Sequence, residues 1–228
     1  MNEGTPGYSH RYVIIVAVFV TCLIVSNIVA VKLVGAFDLV FDAGTVIFPI
    51  SYIFGDVLTE VYGFRRARQV IWLGFLCNLL AVGVISLGLV LPAAPFWEGQ
   101  AAYERILGYA PRLLAASFCA YLVGELANSM VLSRMKVATE GRWLWSRTIG
   151  STLVGQGFDS LVFVLIAFTG TIPTSALLSV ILTQWLLKSS YEAIATPFTY
   201  LVVGRLKRAE GVDVYDRDTS FNPLPTGR

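Results

Sequence analysis

Six apolar stretches run along the chain, at residues 12–31, 48–68, 70–91, 111–132, 148–168 and 176–203, and most of the charge lies in the intervals between them and in the two ends. Each is near or above the roughly 20 residues that a helix needs to cross a hydrocarbon core. The pattern predicts an all-α, polytopic membrane protein with six transmembrane helices in one bundle. Residues 1–10 read as a frayed tail, 11–205 as the transmembrane domain, and 206–228 as a polar, proline-bearing tail expected to be disordered. The interval after the third stretch holds Pro92, Pro95, Trp97, Glu98 and Glu104 and reads as a segment lying at the interface. A linker with Asp38 and Asp42 joins the first two stretches.

The polar residues inside the stretches are ordered. Asp56 and Glu60 are four apart in the second stretch, so on a helix they share a face, one turn from each other. A charged side chain at the bilayer centre costs roughly 2.5–3.5 kcal/mol on insertion scales. Two on one face therefore imply that the face looks into protein or a wet cavity. Glu125 and Asn128 stand at i, i+3, as do Gln156 and Asp159, and Gln184, Lys188 and Glu192 stand at i, i+4, i+8. Each set makes a stripe on its helix. With Asn27 of the first stretch, the candidates to bind a solute are Asp56, Glu60, Glu125, Asn128, Gln156, Asp159, Lys188 and Glu192. Tyr52 and Trp185 join them as rings that could stack on a planar ligand, as could Phe158 and Tyr191. Pro49 and Pro197 fall where they would break or bend helices near this set.

Plainer readings stand beside these. Glu60 lies close to Arg65, Arg66 and Arg68, so a local ion pair suits it as well as a ligand role. Lys188 and Glu192 form an ordinary i, i+4 pair. Asn27, Asn78 and Gln184 can simply hydrogen-bond across helices. Asp56, Glu125 and Asp159 sit deeper in apolar surroundings and favour function.

Composition sharpens the picture. The 228 residues are 56% hydrophobic and 14% charged, against about 25% charged in soluble domains. Apart from the arginines at the stretch ends (Arg65, Arg66, Arg68 and Arg112), five acids inside the stretches, Asp56, Glu60, Glu125, Asp159 and Glu192, face one base, Lys188. A purely structural network would balance better, since an unpaired buried charge is expensive. The surplus suits a solute with several N–H donors, or a carboxyl that carries a proton. Glu125 is the leading candidate for the latter, because no cation lies within eight residues of it.

The net charge of +2 says little; its distribution says more. Arg65, Arg66 and Arg68 close the second stretch, Arg134, Lys136, Arg142 and Arg147 lie between the fourth and fifth, and Arg205, Lys207 and Arg208 follow the sixth. The alternate intervals hold Arg105 and Arg112 beyond the helix-end Lys32, with Asp38, Asp42, Glu98 and Glu104. The positive-inside rule then places both termini in the cytoplasm. The first stretch is too long for a signal h-region and lacks a cleavage site, so it is expected to remain as a span. Cys22, Cys77 and Cys119 all fall in apolar runs and read as packed or lipid-facing thiols.

The single histidine, His10, precedes the first stretch, which excludes a zinc hydrolase or a histidine proton relay. Ile53-Phe54-Gly55-Asp56 lacks the first glycine of the intramembrane aspartyl-protease pattern, and no Ser–His pair or metal set exists. No catalytic residue, metal or cofactor is called for, and the absence of a nucleotide-binding loop leaves passive or ion-coupled movement. FGD at 54–56 and GFD at 157–159 occupy corresponding positions in two three-helix halves, too little to establish an inverted repeat.

The strings SNIVAVK (Ser26–Lys32), FPISYIFGDVLTEVYG (Phe48–Gly63), GELANS (Gly124–Ser129), QGFDS (Gln156–Ser160) and WLLKSSYEAIATPFTY (Trp185–Tyr200) occur in order. Together they resemble the queuosine-precursor transporter family, also known as vitamin-uptake-like, over about residues 11–205. The resemblance implies a small six-helix protein of the bacterial inner membrane. Its expected role is import of 7-deazaguanine bases such as 7-cyano- and 7-aminomethyl-7-deazaguanine, precursors of the tRNA nucleoside queuosine. From the residues alone the solute is only small and polar or cationic; its purine-like identity comes from the resemblance. A deazaguanine suits the stripes, because a carboxylate can accept two of its N–H donors in a fork. The expected partners are that solute and the bilayer, with no direct nucleic-acid contact and a homodimer left open. The alternative is the substrate-binding component of an ATP-driven vitamin importer, which a small-residue face on the first helix would favour; the run from Val13 to Val25 has only Ala17.

The charge asymmetry generates a test of topology. A cysteine placed at Glu98 or Thr174 is expected to react with an impermeant thiol reagent from outside intact cells, and one at Arg142 is not. Labelling of position 142 from outside overturns the arrangement.

Overall fold

The computed structural model describes residues 9–36, 39–108, 111–171 and 173–224. Helix α1 (His10–Val29) is capped by Ser9, whose hydroxyl accepts the Tyr12 N–H at 3.1 Å. Strands β1 (Leu33–Ala36) and β2 (Leu39–Asp42) pair antiparallel, Leu33 opposite Asp42. A 3₁₀ turn (Ala43–Val46) leads into α2 (Phe48–Tyr62), with Pro49 in its first turn, where a missing N–H is harmless. Then come α3 (Phe64–Val90), the short α4 (Gln100–Leu107), α5 (Pro111–Ala138), α6 (Leu144–Phe168) and α7 (Thr174–Glu210).

The fold is all-α, as expected, with one small hairpin in the first linker; Asp38 lies outside the described residues. α1, α3, α6 and the stretch that ends in α5 are long and apolar enough to cross a membrane by length and composition. The other two long helices depart from simple spans. α2 has 15 residues, about 22 Å at 1.5 Å per residue, short of a core of about 30 Å. α7 has 37 residues and length to spare, but carries the polar stripe of Lys188 and Glu192.

α2 is the central helix, packed against α1, α3, α5 and α7. Its apolar face (Ile53, Val57, Leu58, Val61, Tyr62) meets Tyr12, Ile15, Phe19 and Leu23 of α1, Ala67 and Val70 of α3, and Val203 and Leu206 of α7. Its polar face turns toward α5, α6 and α7. Outward, α3 presents Leu76, Leu80, Leu87 and Val90, and α7 presents Leu178, Leu187, Ile194 and Phe198, a surface suited to lipid rather than water.

The stretch 48–68, read as one helix, is broken at Gly63. Its φ of +83° and ψ of 166° belong to a region essentially reserved for glycine. Arg65, Arg66 and Arg68 therefore open α3 instead of closing α2. The sixth helix also continues past the expected end at 205, to Glu210.

The segment beyond it, expected to be disordered, is packed. Asp216 is buried and accepts the Phe64 N–H at 2.8 Å and the Ser133 hydroxyl at 2.5 Å. It caps the N-terminus of α3, which has no local side-chain cap. Val214 N–H donates to the Val61 carbonyl at 3.2 Å, and Trp72 Nε1 donates to the Pro223 carbonyl at 2.8 Å. Phe221 lies between the Phe64 ring and the Arg134 guanidinium. The tail holds because backbone partners and a buried acid fasten it, which its polar composition alone does not show.

Beside the tail, one carboxylate gathers the ends of four helices. Glu60 of α2 has no exposure. Arg147 of α6 donates to it through Nε at 2.9 Å and Nη2 at 2.7 Å, and Lys207 of α7 donates at 2.6 Å. Lys136 of α5 lies 3.7 Å away and donates to the Glu60 carbonyl. Asp213 of the tail receives Lys136 at 2.5 Å and Lys207 at 2.9 Å. Partial burial would push the Asp213 carboxyl up, but its hydrogen bonds from Lys136 and Lys207 outweigh that and hold it below its ordinary value.

Two outcomes follow. Gly63→Ala is expected to cost on the order of 1–3 kcal/mol, because a Cβ there would also lie 2.7 Å from Val214 Cγ1. Thermal unfolding of the purified protein measures it, and an unchanged midpoint would show that the corner relaxes. Asp213, with a lowered native pKa, stabilises above the ordinary carboxylate range and loses that contribution as pH falls through the native value. The Tm difference between wild type and Asp213→Asn should thus be constant near neutrality and shrink below about pH 4.

Candidate functional site

One turn from Glu60, α2 presents Ser51, Tyr52, Gly55 and Asp56 to the stripes of three other helices. α5 brings Glu125 and Asn128, α6 brings Thr152, Gln156, Asp159 and Ser160, and α7 brings Lys188, Ser189 and Glu192. Their spacings of one, three and four residues put each set on one face.

The four faces meet. Asn128 Nδ2 donates to Asp56 Oδ1 at 2.8 Å. The Lys188 ammonium donates to the Asp159 carboxylate. Gln156 Nε2 reaches Glu192 Oε2 at 3.5 Å. The carboxyls of Asp56, Glu125, Asp159 and Glu192 crowd near enough to repel one another, and Tyr52 faces them beside Gln156. Toward Glu60 the α2–α5 seam continues through Thr59, whose hydroxyl donates to the Gly55 carbonyl and lies 3.0 Å from Ser129 Oγ.

Glycines make this approach possible. A Cβ on Gly55 would lie 2.0 Å from Glu125 Oε1, so the glutamate occupies the notch a side chain would fill. Gly124 and Gly155 bring α5 and α6, the most extensive helix pair, into backbone contact. A Cβ on Gly124 would stand 2.7 Å from Asp159 Cβ, and one on Gly155 would stand 2.6 Å from Asn128 Cβ. Small residues allow such contacts between membrane helices.

The chemistry of the site lies in what it leaves open. Among the described residues ten buried side-chain polar atoms have no hydrogen-bond partner within the chain, and eight fall on these four faces. Four are carbonyl or carboxyl oxygens: Glu125 Oε1, Asn128 Oδ1, Gln156 Oε1 and Glu192 Oε1. Four are hydroxyls: Ser51, Ser160, Ser189 and Thr152, the last of which faces the Glu192 carboxyl. A buried polar group without a partner costs about 1–3 kcal/mol, and native chains tolerate few of them. Eight together suit a polar ligand, and the oxygens suit N–H or O–H donors. Four carboxyl groups and one ammonium also give the site an acidic character. Among the described residues no group of three His, Cys, Asp or Glu side chains could hold a metal ion.

The structure thus brings together Asp56, Glu125, Asn128, Gln156, Asp159, Lys188, Glu192 and Tyr52. It places three other candidates elsewhere. Glu60 belongs to the closed ion cluster, with partners from α5, α6 and α7 in place of the neighbouring arginines. Asn27 donates to Asn78 Oδ1 at 3.1 Å, joining α1 to α3. The Trp185 indole donates to the Leu153 carbonyl at 2.8 Å and fixes α7 on α6. Phe158 and Tyr191 turn outward, about half exposed. Lys188 pairs across helices with Asp159, although Glu192 stands one turn along its own helix. The sequence reading missed the four hydroxyls, and for three the signal was there: Thr152, Ser160 and Ser189 each lie within one turn of an acid or amide on the same stripe.

The family model described as "Putative vitamin uptake transporter" matches residues 42–202, a span that contains every residue of the four faces. The probable queuosine precursor transporter of Bacillus subtilis is 32% identical over 176 residues, 77% of each chain. The queuosine precursor transporter of Escherichia coli is 30% identical over 125 residues, 55% of this chain and 54% of that one. A probable queuosine precursor transporter of Haemophilus influenzae is 29% identical over 125 residues, 55% of this chain and 51% of its own. No solved structure matches. With the family model covering well over half of its length, and its polar stripes inside the matched span, the chain belongs to the vitamin uptake transporter family.

Proposed function

We propose that this protein imports queuosine precursors, 7-deazaguanine bases, across the bacterial inner membrane, with both termini in the cytoplasm. It is a multi-pass membrane transporter and not an enzyme. The observation that carries the substrate reading is the set of eight partnerless buried polar atoms on α2, α5, α6 and α7. The names of the relatives supply the solute, and the chemistry of the site suits it. The 7-deazaguanine ring is planar and neutral, with ring N–H and exocyclic amino donors on one edge and a carbonyl acceptor, and a 7-aminomethyl group adds a cation that suits an acidic site. Asp56, Glu125, Glu192 and the oxygens of Asn128 and Gln156 offer acceptors for those donors. Lys188 and the hydroxyls offer donors for the carbonyl, and Tyr52 offers a ring beside the plane.

Isosteres separate recognition from packing. Asp56→Asn, Asp159→Asn and Glu192→Gln keep shape and change only charge and donor pattern. Loss of a hydrogen bond to a charged group typically costs about 1.5–3 kcal/mol, roughly ten- to more than a hundredfold in affinity. At least one of the three is expected to weaken 7-deazaguanine binding by that factor, measured by calorimetry on folded, detergent-purified protein with guanine as competitor. Asn78→Ala, which breaks only the bond to Asn27, is expected to leave affinity unchanged. Three isosteres that bind like wild type would make these acids structural. Uptake by the purified protein alone in liposomes, with and without a proton gradient, completes the test; binding without uptake would favour a module that needs an energising partner.

A further inference from the structure

The four helices that hold the partnerless atoms also converge one layer further toward the basic end. Glu60 lies four residues from Asp56, Lys136 eight from Asn128, Arg147 nine from Gln156 and Lys207 fifteen from Glu192. Any passage from the site to that end, between these helices, meets the Glu60 cluster. The layer is dry: Glu60, Lys136 and Arg147 are at most 2% exposed. Between it and the site stands the Thr59–Ser129 contact, with Ser129 fully buried.

The layer is not uniform. Arg147 grips Glu60 with two hydrogen bonds in full burial, a geometry that persists. The outer members are wetter, with side-chain exposures of 22% for Lys207 and 42% for Asp213. Pairs that water reaches are weak. Asp213 belongs to no helix: it rides on the tail, which crosses the ends of α2, α3 and α5 through Val214 and Asp216. The element lying outermost on the route thus carries the most exposed charge of the layer, while Lys136 also holds its Val214 carbonyl at 2.7 Å and Asp216 anchors it to Phe64 and Ser133.

We propose that the tail segment Asp213–Asp216 is a gate at the basic end of the transport path. It is closed in this structure and opens when Asp213 leaves Lys136 and Lys207 and the Val214 carbonyl leaves Lys136, while Glu60 keeps Arg147. The proposal rests on the reading of the site given above, for a gate needs a path.

Two measurements test it, one of them without ligand. In a variant whose three cysteines are replaced by serine, Ser129→Cys reports on the seam. In permeabilised membranes a maleimide is expected to label it slowly, and about fivefold faster when Asp213→Asn is added, the factor that loss of a half-exposed ion pair sets. An equal rate overturns the gate. For the second, Ser133→Cys with Asp216→Cys replaces a 2.5 Å contact by two thiols that can close into a disulfide. Reconstituted in liposomes with labelled 7-aminomethyl-7-deazaguanine, the oxidised form is expected to bind like the reduced form but to lose uptake, which reduction restores. The reduced form controls for the lost cap on α3. Equal uptake in both forms overturns the gate. If neither form binds, the substrate reading has failed, and the labelling rate still decides whether the tail opens.

Discussion

A carboxylate with no exposure has to find its counter-charge within the protein, and Glu60 finds three. Arg147, Lys136 and Lys207 come from three different helices, and each would be costly to bury alone. None can leave the cluster without stranding the others, so the basic ends of α2, α5, α6 and α7 are held in one register. That register brings their polar stripes together four or more residues further along. The site depends on a salt-bridge cluster that takes no part in it.

The two polar layers follow opposite rules. Around Glu60 charges have partners, and Asp216 nearby satisfies the first N–H of α3. One turn away, Asp56 opens a layer in which carboxyl, amide and hydroxyl atoms lack partners in equally deep burial. A sequence selected only for stability would have closed both. The glycines point the same way: Gly55, Gly124 and Gly155 give up side chains so that Glu125, Asp159 and Asn128 can crowd one spot. Packing is arranged around the acids rather than the acids around the packing.

The tail shows where composition misleads. Its last residues are polar, with Pro223 and Pro225, and nothing in their periodicity suggests order. Order arises because Gly63, in a conformation that only glycine adopts readily, leaves a corner without a cap and without a side chain. Asp216 supplies the first and Val214 fills the second.

The sequence by itself determined the helices, their apolar faces and the stripes of Asp56, Glu125, Asn128, Gln156, Asp159 and Glu192, because helical periodicity and the cost of charge in lipid are local properties, legible residue by residue. It also held unread signs, such as Gly63 within an apparent single helix and three hydroxyls within one turn of an acid or amide. Only the tertiary structure decided who pairs with whom. Lys188 joins Asp159, 29 residues away, although Glu192 stands one turn along its own helix, and Glu60 joins Arg147 and Lys207, 87 and 147 residues away, rather than the arginines that follow it. Ion pairs depend on where helices cross and which side chains share a dry space, and that geometry leaves no periodic trace in a single chain.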